Sequence, residues 1–115
     1  MDEQEVVYLE QWKNELEKEL RLYHEQKVAI TNQMVSLRAK KQIIEQVSNN
    51  MNQIDETLSK DEFEQHFEMQ QLEDELERLT LDLDYVTSSN QASSVYNELV
   101  IRQIDEKLME LEQYA

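Results

Sequence analysis

Two histidines, His24 and His66, are the side chains here best suited to proton transfer or metal ligation near neutral pH. Neither stands in a setting that such chemistry needs. The residues three positions before them are Arg21 and Phe63, so the Glu-x-x-His pair of di-iron bundles is absent. No His-Glu-x-x-His zinc signature occurs either. His66 follows Glu62 by four residues, an ordinary ion-pair spacing on a helix surface. Asp82-Leu83-Asp84 starts like a calcium loop but lacks the glycine that bends one. The chain has no Gly, no Pro and no Cys in 115 residues. Phosphate loops, dinucleotide fingerprints, disulfides, thiolate metal sites and cysteine nucleophiles are thereby excluded. The expectation is a protein that is not an enzyme, with no catalytic or metal residue, no cofactor and no small-molecule substrate.

Charge narrows the partners. Twenty-six acidic against 11 basic residues leave −15, the wrong sign for binding nucleic acid or anionic lipid through the general surface. Successive segments 1–20, 21–41, 42–77 and 78–115 carry −5, +4, −10 and −4, so a basic waist precedes an acidic middle. That middle reads first as a solubilising face and second as a docking end for a basic partner. No apolar run has the length of a membrane span, which excludes membrane insertion by a helix. The acidic start has the wrong sign for a secretory leader, and the absence of cysteine fits a cytoplasmic setting.

The elements that must carry any function are helices. Without Gly and Pro the tight turns of a sandwich or barrel are missing. Leu9, Leu16, Tyr23, Ile30, Leu37, Ile44, Met51 and Leu58 recur every seven residues, one seam position of a coiled coil. Trp12, Leu20, Met34, Val47 and Ile54 fill the companion position irregularly, with Gln26, Gln33 and Lys40 between them. In the second half, Met69, Leu72, Leu76, Leu79, Leu83 and Val86 alternate spacings of three and four, and Ile104 and Leu111 resume that phase. Polar Asn90, Ser93 and Asn97 interrupt it. Residues 79–86 also alternate like a strand, but no partner strand exists and helical spacing runs through them.

Ser59-Lys60-Asp61-Glu62 matches a capping box, with Leu58 and Phe63 placed as a hydrophobic staple. Asp2-Glu3-Gln4-Glu5 repeats the pattern at the start, with Met1 and Val6 as its staple. The predicted fold is all-α: one domain over 1–115, a long antiparallel helical hairpin of coiled-coil type. Its helices are expected at about 3–57 and 60–114, joined by a turn at about 58–60. The weak helix formers of 87–94 leave a kink, a loop or an unbroken polar stretch open there. Folding about the turn places Ser93 opposite Gln26, so that the two polar interruptions meet.

A two-helix hairpin buries little apolar surface against its chain entropy. A second apolar face supplies candidates for the missing burial. Phe67, Leu81, Tyr85, Val95, Tyr96 and Leu99 lie off the seam and are the expected partner-binding residues. The expected function is protein–protein interaction: an adaptor, assembly subunit or dedicated chaperone and targeting factor. It would dock helix on helix with a second copy, as a homodimeric four-helix bundle, or with a helical client. The alternatives are an acidic inhibitor that mimics nucleic acid in a basic groove, and a piece of a longer coiled coil.

Overall fold

The computed structural model describes residues 3–113, the side chain of Asn52 excepted. Helix α1 (Glu3–Ile54) opens with Glu3 and Glu5 in its first turn, where carboxylates meet the unpaired backbone N–H groups favourably. The N-terminal capping box that would start at Asp2, and its Met1 staple, lie outside the described residues. The helix ends three residues before the expected 57. The reason is Asp55, whose Oδ1 accepts from both the backbone N–H (2.9 Å) and the hydroxyl (2.7 Å) of Thr57. This side-chain turn competes with helix continuation, and the Leu58 N–H closes it on the Asp55 carbonyl at 3.3 Å. The connection thus occupies 55–59 instead of 58–60.

Both Thr57 bonds hold the Asp55 carboxyl below its ordinary pKa. A carboxylate depressed in the folded state stabilises above its unfolded pKa and loses that contribution as pH falls through the folded value. Asp55→Ala is therefore expected to weaken the fold at neutral pH. Its deficit relative to the parent should shrink towards zero on acidification below about pH 4. Urea titrations of the two proteins across that range check this, and a pH-independent deficit would refute it.

Ser59 caps helix α2 (Lys60–His66): its extended backbone and its Oγ, accepting from the Glu62 N–H at 3.2 Å, begin the helix and supply the hydroxyl half of the expected capping box. The staple is open, because Leu58 stays half exposed. The expected single second helix is divided. Phe67 and Glu68 separate α2 from helix α3 (Met69–Gln113), and Glu68 has φ 52°. Left-handed backbone favours glycine, which this chain lacks, so an L-residue carries the cost. Glu68→Gly is expected to stabilise the protein by about 0.5–1 kcal/mol, measured by chemical denaturation; a loss would show that the bend is not a fixed feature.

Residues 87–94 are unbroken helix. Their polar side chains bond back to the preceding turn: Asn90 Nδ2 to the Val86 carbonyl (2.8 Å), Ser93 Oγ to Asn90 (3.1 Å), Ser94 Oγ to Gln91 (2.9 Å). Donors that satisfy themselves on helix carbonyls do not draw the backbone out of the helix. The strand-like 79–86 is helix too, with Leu79 and Val86 buried, Leu83 half-buried, and Leu81 and Tyr85 turned to solvent.

The described residues form an all-α, antiparallel helical hairpin with no strand. Its contacts gather in two compact units. The turn unit, Val28–Tyr85, holds Met34, Ile44, Met51, Met69 and Leu79 as its buried apolar side chains. Three ties cross between its helices: Lys41 to Glu73 (3.9 Å), Lys60 to Asn49 (3.3 Å) and buried Ser48 to Glu64 (2.9 Å). The terminal unit joins the chain up to Lys27 with the chain from Val86 onward. Val86 and Ile104 are its buried apolar residues, and Lys13 meets Asp105 at 2.6 Å.

The heptad series from Leu9 to Met51 is at least half-buried throughout, and Leu58 falls in the connection. The companion position differs from the expected one. Val6, Lys13, Leu20, Lys27, Met34, Lys41 and Ser48 are all at least half-buried, whereas Trp12, Val47 and Ile54 are exposed. A lysine thus occupies every second companion place. Lys13 and Lys41 reach acidic partners across their units, and Lys27 lies 5.1 Å over the Tyr23 ring.

Candidate protein interface

In the terminal unit, α1 and α3 pack around a sparse seam. Leu9 and Leu16 point into it from α1, and Val100, Ile104 and Leu108 from α3. Lys13 takes the next seam place, between Leu9 and Leu16, and its ammonium reaches Asp105, a hydrogen bond that is the main cause of its raised pKa. Position 12, one residue before, is left at the seam's edge. Trp12 therefore stays 47% exposed, and on α3 Leu99 is 52% exposed.

Together they wall an open groove of about 470 Å³, floored by Leu9, Val100 and Ile104, with Gln103 and Lys107 at the rim. Its lining is almost wholly apolar. Tyr96 stands four residues before Val100 and continues the wall by helical spacing, and Tyr8 does the same beside Trp12. Further along the unit a polar groove of about 250 Å³ brings Tyr23 and Gln26 together with Asn90, Ser93, Ser94 and Asn97. The two polar interruptions meet, as the sequence predicts. Lys13 and Asp105 meet within one residue of the expected pairing, while Asn97 Nδ2 donates to Glu19 at 2.8 Å, three residues from its expected opposite, Leu22. A polar layer of this kind fixes helix pairing at some cost in stability.

Of the six expected partner residues, Leu99 alone lines the apolar groove. Val95 lies further round α3 and Tyr96 beside the groove, both exposed. Leu81 and Tyr85 are exposed in the turn unit, at 62% and 73%. Phe67 is half-covered by its own neighbours, its ring 5.1 Å from Phe63 and 4.8 Å edge-on to His66. The sequence reading missed Trp12, which a three-residue step from Leu9 assigns to the seam. The signal against that assignment was the fourteen-residue recurrence of Lys13, Lys27 and Lys41 beside Val6, Leu20 and Met34.

Among the described residues no group of three metal-ligating side chains converges, and no helix is long and apolar enough to cross a membrane. Three of the acidic residues that follow α2 are tied within their own helix. Glu75 and Asp82 flank Arg78, which pushes the Glu75 carboxyl below its usual range, and Gln70 donates to Asp74 at 3.0 Å. Such exposed pairs shape the helix surface and contribute little to stability. No protein-family model, no curated protein and no solved structure matches this chain, so the groove and the helix faces carry the functional argument themselves.

Proposed function

We propose that the chain is a non-enzymatic protein–protein interaction module, an adaptor, assembly subunit or dedicated chaperone, that docks helix on helix with a second copy or a helical client. The observation that carries this reading is the apolar groove of the terminal unit, with its tryptophan and leucine walls half open to water. Large aromatic and aliphatic side chains around a concave apolar surface are where helix docking concentrates its energy. The sparse core points the same way: no side chain of the described residues is fully enclosed, so a further helix would add burial that the hairpin lacks.

Size-exclusion chromatography with light scattering, at low and high salt, is the first test. Docking through apolar surface is expected to persist when charges are screened, and Leu99→Glu is expected to abolish it. A stable dimer of this behaviour assigns the groove to self-association, and a monomer reserves it for another protein. Association that raised salt abolishes and Leu99→Glu leaves intact would place binding in the carboxylates and favour the acidic decoy instead.

A further inference from the structure

The charges around the apolar groove identify its occupant more closely than its shape does. Helical spacing places Glu5 one turn before Leu9, and Glu15 one turn beyond Trp12 on the same side of α1. On α3, Glu106 lies two turns beyond Leu99 and Glu110 one turn beyond Lys107. Glu15, Glu106 and Glu110 are exposed, and Glu5 is half so. Two cations stand among them: Lys107 at the rim, 4.0 Å from Glu110, and exposed Arg102, one turn beyond Leu99 and one turn before Glu106. The groove is thus an apolar floor between edges on which four carboxylates outnumber two cations. A second copy docked groove to groove would lay the same carboxylates against them, on a molecule that already carries −15.

We infer that the groove of the terminal unit receives a basic amphipathic helix of another protein, its apolar stripe against Trp12 and Leu99 and its lysine or arginine flanks against Glu5, Glu15, Glu106 and Glu110. This rests on the helix-docking reading above and names the partner's chemistry. The apolar stripe supplies affinity, and the flanking charges speed encounter and exclude acidic helices.

Trp12 is the only tryptophan, so its emission reports the groove directly. The full chain is titrated with three tryptophan-free peptides: an amphipathic leucine–lysine helix, a scrambled peptide of the same composition, and an amphipathic leucine–glutamate helix. The expected result is a blue shift with the first peptide, which binds at least about tenfold more tightly than either control. Leu99→Ser should weaken that binding about tenfold, and Glu15→Gln with Glu106→Gln should weaken it and flatten its salt dependence. Both variants change exposed positions, and circular dichroism confirms that they are folded. Equal binding of the scrambled peptide, or indifference to Leu99→Ser, would reduce the effect to general charge attraction and overturn the inference. Equal or tighter binding of the acidic helix would overturn the basic partner while leaving helix docking in place. A blue-shifted emission that reverts on dilution without peptide would make a second copy the occupant, again overturning the inference alone. No shift with any peptide and none with concentration would overturn both readings.

Discussion

Leu79→Ala is expected to cost about 2–4 kcal/mol in urea denaturation, a large share of the stability available to a chain of this size. Leu79 is 3% exposed and faces the α1 seam of the turn unit, where Met34, Ile44 and Met51 supply most of the apolar burial. Removing three carbons from so small a core forfeits transfer free energy and leaves a void that straight helices close poorly. The figure stays below the top of the range for buried leucines because no neighbouring side chain is completely enclosed. Leu81→Ala, two residues on at 62% exposure, is the control and should change stability by less than about 0.5 kcal/mol. Equal costs at the two positions would mean that α3 turns a different face to α1.

Converting Lys13, Lys27 and Lys41 together to leucine is expected to act in the opposite direction. Each lysine lies half-buried at a seam place where leucine is the better packing residue. The triple variant should melt roughly 5–15 °C higher. It should also lose uniqueness. Lys13 with Asp105 and Lys41 with Glu73 are ties between specific positions, and an all-apolar seam permits slips by a heptad and pairing with further copies. Light scattering should therefore show a heavier or heterogeneous species, despite the loss of three positive charges. A variant with the parent's melting temperature and mass would show that these lysines lie outside the packed seam.

The parts of the fold legible in the sequence are those set by local chemistry. The absence of Gly and Pro excludes folds built on tight turns, and a seven-residue apolar recurrence specifies a long helix with one seam. Ser59 and Glu62 mark a helix start because a hydroxyl capping a backbone N–H acts over three residues and needs no tertiary partner. The coincidence of the two polar interruptions follows from folding any such hairpin near its middle, and the groove shared by Gln26 and Asn90 shows it. Weak helix propensity at 87–94 left the backbone open, since propensity does not say where a serine hydroxyl will bond.

Tertiary structure decided what depends on two helices at once. Whether position 12 or 13 enters the seam depends on how α1 as a whole is rotated against α3. The phase that covers Leu9 and Leu16 brings Lys13 to Asp105, more than ninety residues away, and leaves Trp12 at the groove's edge. The end of α1 at the Asp55–Thr57 turn and the start of α3 at left-handed Glu68 are local by contrast. Yet a two-residue side-chain turn and a positive φ outside glycine leave no distinctive mark in residue types. The candidate interface, like the seam, depends on two helices at once. Apolar residues off a seam can be counted along one helix, but a groove exists only between two, and its walls depend on register. Register is a sum of distant pairings, so a slip of one turn would change which exposed residues stand together while every local signal remained satisfied.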